Sequence, residues 1–383
     1  MDPDCESAVG LGGPGVRSGF LRYACRAHLR HRSCMHHSAD TYELSGKTAP
    51  GVNMEFSRKD EVVSVSMSRP HVVLLGAGAS RACMPEEGLP LMADFIEVVG
   101  LRGLLEEAGI AFQGKSFEEV YSDLHCEPRL DPIRKTLETA VWKYFASLQL
   151  PTHPTVYDYL VLCLRGKDVI ATFNWDPLLF QEYHRNLGVV SLPQMLFLHG
   201  NVAVGYCLQD KVLGTFSDTC RHCRQLLKPT RLLYPVKEKN YERDPILWAQ
   251  WQKLRMHMSE AFMFTVFGYS APQSDVAAIE LLQQGWGSRH QRVMEQVEIV
   301  DLKPEDELRR VWSRFIHSHH YSVTADFFGS WVAQHPRRTG EAHMAQFVDM
   351  QCVDGNPAPQ GVTMKGLHEW FVPLHRAEIE AAT

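Results

Sequence analysis

The sequence predicts a doubly wound α/β fold, and three observations predict it. Short apolar runs recur through the middle of the chain, each ending in a polar or glycine-containing turn. Helical patterns with readable starts lie between those runs. Two stretches, about residues 85–165 and 201–230, break the alternation and read as insertions: the first mostly helical, the second polar and cysteine-containing. The expected architecture is a parallel Rossmann-like sheet with an inserted helical lobe and a small cysteine-containing lobe.

In chain order, His71–Leu75 (HVVLL) is an apolar run ending at Gly76-Ala77-Gly78-Ala79-Ser80, the way a buried parallel strand enters a phosphate-binding turn and helix. Asp168–Thr172 (DVIAT), Gln194–Leu198 (QMLFL), Phe262–Phe267 (FMFTVF) and Val297–Asp301 (VEIVD) repeat the pattern. Asp244 can cap a helix with Pro245 at its first position, before ILWAQWQKLRMHM. Another helix is expected from Pro304: Glu305, Asp306 and Glu307 occupy its first turn, and Leu308, Val311, Trp312, Phe315 and Ile316 form a buried stripe. Residues 67–330 are expected to form the main domain. Residues 1–66, crowded with Gly, Arg, His and Ser, are expected to be a disordered leader, with Met54 and Met67 as alternative starts. His28, His31, His36 and His37 lie near Cys25 and Cys34, in no common zinc-ligand spacing. Residues 331–383 are read as a C-terminal extension of unassigned role.

Composition narrows the function classes. The chain has 383 residues, 22% charged and 45% hydrophobic, with 39 basic against 45 acidic groups and a net charge of −6. That balance, with no run of like charges, speaks against a nucleic-acid coat or a membrane-surface protein. No stretch approaches the roughly 18 apolar residues of a membrane span, and the acidic opening lacks a signal-peptide core. A cytoplasmic protein with reduced thiols is expected from its ten scattered cysteines.

The strand ends carry the candidate chemistry. Gly76, Ala77 and Gly78 would let backbone amides approach a pyrophosphate, with Ser80 beside them; a glycine pair after a strand is also often only a tight turn. Asn174 and Asp176 follow Thr172 at a carboxyl edge, where open α/β sheets bind ligands, although Asp176 before Pro177 reads equally as a helix cap. His199-Gly200 ends the next run; a lone histidine there is usually structural. Gly268-Tyr269-Ser270 closes another, with Ser274 or Asp275 as a cap for the next helix. Asp301 could accept hydrogen bonds from a ribose diol, or simply be solvated.

Taken together, strand ends carrying GAGAS, TFNWD, LHG, GYSAPQSD and VEIVD resemble the sirtuin superfamily over about residues 70–325. The resemblance implies that Gly76, Ala77, Gly78 and Ser80 hold the phosphates of NAD. It implies that Thr172, Asn174 and Asp176 belong to the nicotinamide and ribose pocket, and that His199 is the catalytic histidine. Gly268, Tyr269, Ser270 and Asp301 would complete the cofactor site. Gly88-Leu89-Pro90-Leu91 lacks the Asp-Phe-Arg continuation of the standard protein deacylases. With LLYPVKEKNY and GYSAPQSD, the chain looks more like the divergent sirtuin-like domains of bacterial antiphage systems. The implied activity is NAD hydrolysis to nicotinamide and ADP-ribose. NAD-dependent lysine deacylation is the alternative, and a catalytically silent NAD or ADP-ribose sensor a further one. Uncontrolled NAD hydrolysis would be toxic, so restraint by a homo-oligomer, a partner defence protein or a terminal segment is expected.

Sirtuins place a zinc ribbon where this chain carries Cys207, Cys220 and Cys223. Only one C-x2-C pair is complete, so a fourth ligand would come from elsewhere, such as Cys163 or a distant histidine. Three reduced cysteines without metal remain the alternative.

Overall fold

The computed structural model describes residues 55–235, 241–272 and 275–383. The histidine-rich stretch and Ser274 lie outside the described residues. Six strands, β1 (His71–Leu75), β2 (Val169–Thr172), β3 (Gln194–Phe197), β4 (Met263–Phe267), β5 (Gln296–Val300) and β6 (Tyr321–Thr324), form one sheet in the order β3-β2-β1-β4-β5-β6. Every neighbouring pair is parallel. This is the dinucleotide-fold order, with its switch point between β1 and β4. The expected doubly wound parallel sheet is therefore present, with β6 as an additional strand. YSVT is too polar and too half-buried to stand out as an apolar run.

Register decides where the strand ends meet. Leu75 pairs with Thr172 and Phe267, Thr172 with Phe197, and Phe267 with Val300. The turns after these five strands therefore leave the sheet at one level, and the first of them leads into α1 (Ala77–Cys83). Side chains alternate between faces, so Val73 and Leu75 enter one core while Val72 and Leu74 enter the other. The first core corrects the expected boundaries. Helix α2 (Val156–Cys163), begun by a Thr155–Asp158 capping box, packs against β1 and β2 as their crossover. The inserted helical lobe thus ends before residue 155, short of 165. Its own core joins Phe95, Phe117, Leu137, Val141 and Phe145. The first core also contains Leu178 and Leu179 of α3 (Leu178–Arg185), together with Val332, Leu367, Phe371 and Leu374. Residues 331–383 are therefore a layer of the main domain rather than an appendage. Residues 55–66 are also ordered. Glu55–Phe56 pairs with Cys352–Val353, and a helix at Arg58–Val63 buries Glu61. Arg165, Arg337 and Arg338 meet Glu341 and Glu378 there, pairing that hydrophobicity patterns do not register.

The second core is closed by α4 (Pro245–Glu260), α5 (Val276–Trp286) and Trp312. Asp244 caps α4 by accepting from the backbone of Ile246 and Leu247, with Pro245 in the first turn as its chemistry requires. The helix after Pro304 spans Glu305–Val311, and Leu308, Trp312 and Phe315 are buried. Val311 is 38% exposed, because the helix ends there and leaves it outside the expected stripe.

Candidate active site

The site begins where two turns press together. The amide of Gly76 donates to Phe267 O (3.0 Å) and that of Gly78 to Gly268 O (2.9 Å). A Cβ at Gly76 would lie 2.5 Å from Gly268 O, and one at Gly78 2.8 Å from the Gly268 Cα. Gly268 itself sits at φ +64°. These glycines let the β1 and β4 turns pack directly across the switch point, and Ala77, Tyr269 and Ser270 line the cleft beside them. Gly200, at φ +78°, admits the backbone of Arg231 rather than a ligand.

Asn174 is fixed from three sides. Its backbone amide donates to Thr172 Oγ1 (3.0 Å), while Nδ2 donates to Gly76 O and Ser80 Oγ (2.8 Å each). Asn174 Oδ1 has no partner among the described residues and is left as an acceptor. Thr172 is buried and does not line the cleft, so it positions Asn174 instead of meeting a ligand. Ser80 Oγ also donates to Asp176 Oδ2 (2.7 Å) and meets Tyr157 Oη at 2.9 Å. Asp176 accepts from Leu178 N at 3.1 Å. It therefore closes the turn before α3, whose N-cap position is Pro177, and belongs to the polar cluster. Burial raises its carboxyl above the usual range, opposed by the Ser80 and Leu178 hydrogen bonds.

His199 lines the same cleft. Its Nε2 is 3.0 Å from Tyr241 Oη, and its ring packs edge-on to Phe173 with centroids 4.6 Å apart. Phe173 stacks in turn on Tyr269 (4.3 Å), whose hydroxyl donates to Asp275 Oδ2 (3.0 Å). The Asp275 side chain thus ties down Tyr269, and no side-chain cap bond to α5 is made. Burial raises the phenols of Tyr157, Tyr241 and Tyr269 above their ordinary value, so all three stay protonated.

These groups open onto one cleft of about 1040 Å³. Gly76, Ala77, Gly78, Ser80, Asn174, Asp176, His199, Gly268, Tyr269, Ser270 and Asp301 all border it. One wall is apolar: Leu89, Met92, Phe95 and Phe145 come from the helical lobe and Trp175 from the turn after β2. Sequence reasoning missed Arg81, Lys303 and Asp326 on the walls, and Tyr157, Asn201 and Tyr241 behind them. Asn201 donates to Asp176 O (2.5 Å) and joins the β2 and β3 turns, a contact that only the sheet register creates.

The cysteine cluster has a fourth donor, though not the one expected. Cys207, Asp210, Cys220 and Cys223 place one donor atom each within 4.8 Å of one another. Cys163 is buried in α2, in the core of the main domain. Around a zinc ion with Zn–S bonds of about 2.3 Å, tetrahedral sulfurs lie about 3.8 Å apart. The observed Cys207–Cys223 separation is 3.5 Å, so the residues fit such an ion and could hold it. Asp210 stands where a C-x2-C pair would carry its second cysteine, a signal present in the spacing. The strands Val204–Cys207 and Val212–Thr215 set this pocket, and a structural zinc there would cross-link the lobe.

No family model matches the chain, and no curated protein matches it. Solved structures do. One described as the structural basis for the mechanism and regulation of Sir2 enzymes is 16% identical, with TM-score 0.37, covering 71% of this chain and 93% of its own. A Sir2 homolog–NAD complex is 17% identical with TM-score 0.35, over 73% of this chain and 89% of its own. A Sir2Tm structure bound to a propionylated peptide is 19% identical, with TM-score 0.31, over 65% and 94%. Among the described residues no helix is long and apolar enough to cross a membrane.

Proposed function

We propose that the chain cleaves the nicotinamide–ribose bond of NAD with water as acceptor, releasing nicotinamide and ADP-ribose. One observation carries this reading: Asn174, held through its donors, presents a bare acceptor oxygen to a cleft that His199 also borders. Nicotinamide leaves NAD as a neutral amide from a cationic ring, so the reaction needs no general acid. The site needs to position the attacking oxygen, stabilise an oxocarbenium-like ribose and exclude bulk water. Asn174 Oδ1 accepts a proton-bearing edge of water or of a ribose hydroxyl, fixing its lone pair toward the anomeric carbon. His199 takes the proton as the bond forms, with Tyr241 orienting its ring. Asp176, behind Ser80, keeps Asn174 in place and adds negative potential beneath the developing cation. Asp301, on the cleft wall after β5, suits a ribose diol.

A second reading is NAD-dependent deacylation of lysine, favoured by the apolar wall of Leu89, Met92, Phe95 and Phe145, which suits an aliphatic acyl chain. The same residues would serve, with the acyl carbonyl in place of water. Resemblance to defence-associated domains supports a setting in which hydrolysis depletes host NAD during phage attack, in a cytoplasmic protein restrained by self-association or a partner. The test is to incubate the purified chain with NAD alone and follow nicotinamide and ADP-ribose by chromatography. Release without peptide supports hydrolysis, and release only with acylated peptide supports deacylation. NAD binding without release under either condition, unchanged in His199→Ala, makes the chain a sensor.

A further inference from the structure

The cleft is a poor place for an anion as it stands. Among its described lining residues, Glu118, Asp176, Asp275, Asp301 and Asp326 are carboxylates, against two cations, Arg81 and Lys303. A dinucleotide brings two further negative charges on its pyrophosphate. Lys303 pairs with Glu307 at 2.6 Å on the surface, and its ammonium is a point charge that offers an oxyanion no fork. Arg81 lies one helical turn beyond Gly78, next to Ser80 of the polar cluster. Its Nη2 pairs with Asp94 Oδ2 at 2.6 Å, and both side chains are 35% exposed. Its Nε and Nη1 have no partner among the described residues. A guanidinium with one occupied edge and open donors on a cleft wall is chemically suited to a bidentate oxyanion.

Asp94 links that guanidinium to a second element. Its other oxygen accepts from Leu91 N at 2.6 Å, closing the turn that leads into the helix Phe95–Val98. Leu89, Pro90, Leu91, Met92 and Ala93, just before it, line the same cleft. The Arg81–Asp94 pair thus fastens this strap to α1.

Resting on the NAD reading above, we propose that Arg81 is the anion-binding residue of the cleft and that Asp94 holds it in reserve. A pyrophosphate and the strap compete for one guanidinium. A pair with a single carboxylate, about a third exposed, is weak, and a pyrophosphate carrying two charges displaces it. Binding then loosens residues 88–94 from the helix while engaging the ligand, so occupancy of the cleft and the position of its wall are coupled.

The two partners have opposite signs under this proposal, which a purely structural ion pair would not show. Calorimetric titration of the full chain with ADP-ribose should find Arg81→Gln weaker by about tenfold and Asp94→Asn tighter by about threefold. Arg81→Lys should fall between wild type and Arg81→Gln, because it keeps the charge without the fork. Adenosine, which lacks the pyrophosphate, should bind all variants alike by NMR titration. Hydrogen exchange at residues 88–94 should quicken in Asp94→Asn and in wild type with ADP-ribose. If both substitutions weaken ADP-ribose equally, or Arg81→Gln stays within about twofold of wild type, Arg81 does not have this role. A wild-type chain that binds neither NAD nor ADP-ribose overturns the NAD reading and this proposal together; wild-type binding with indifferent variants overturns the proposal alone.

Discussion

At the carboxyl edge of the sheet, Asn174, Ser80 and Asp176 border a cleft of about 1040 Å³ and leave one acceptor unused. Around the C-terminal segment, Arg337 and Arg338 are fully buried and every guanidinium nitrogen is bonded. Arg337 donates to Leu162 O, Leu164 O, Ser191 O and Glu378, and Arg338 to Val62 O, Leu374 O, Arg337 O and Glu378. Both regions bury polar groups. One uses charge sparingly and keeps space beside it, which suits binding and reaction. The other uses every donor of Arg337 and Arg338 to weld distant segments, which suits stability.

The comparison predicts that damage in the two regions reads out differently. The largest effect belongs to the cleft: Asn174→Ala and His199→Ala should each lower NAD cleavage by roughly 10²–10⁴-fold. Their melting temperatures should stay close to wild type in a thermal scan. Loss of folding instead of activity would place these residues with the welded region. Arg338→Met should do the reverse. Removing one partner of a buried charged network costs about 3–5 kcal/mol, seen in urea unfolding, while activity per folded chain is unchanged. A selective loss of activity there would break the contrast.

Glu298 gives a pH test of the welded side. Its carboxyl accepts from Thr265 Oγ1 and the backbone of Trp331, and burial pushes it up to about 7. A carboxyl raised in the folded state favours the folded protein while protonated. That contribution is full below the unfolded value near 4.5 and is lost as pH rises through about 7. Glu298→Gln should therefore flatten the stability profile between those values, a difference of at most roughly 3 kcal/mol above neutrality. Denaturant midpoints across that range measure it, and parallel profiles for both proteins would refute it. The smallest effect is expected in the cysteine lobe. One zinc per chain should be found by elemental analysis, and Asp210→Ala should weaken it by about tenfold in chelator competition. Asp210→Cys should restore retention, because it completes a four-thiolate set.

Five strands were legible to within one residue, because short buried parallel strands are apolar throughout and end abruptly. Asp244-Pro245 was legible for a similar reason, since capping is decided by adjacent residues. The C-terminal layer was not: its buried surface includes Arg337, Arg338 and Glu378, which look solvated until their partners arrive from elsewhere. In the cleft, Asn174 and His199 could be read as residues at strand ends. The roles of Thr172, Tyr157 and Tyr241 could not, because each depends on a neighbour brought in by the fold or on which way a side chain turns.

Local residue patterns were enough to place the strands, the glycine turns after them, the polar residues at their ends and the cysteine spacing. All of these depend on local periodicity and on backbone conformations open to particular residues. That Leu75, Thr172, Phe197, Phe267 and Val300 end at one level was settled by strand pairing across the folded sheet. The tertiary structure also decided that Asn174 bonds to Gly76, 98 positions away, and that Asp210 completes the cysteine cluster. Sheet register and lobe packing depend on the whole buried surface at once, which no window of sequence contains.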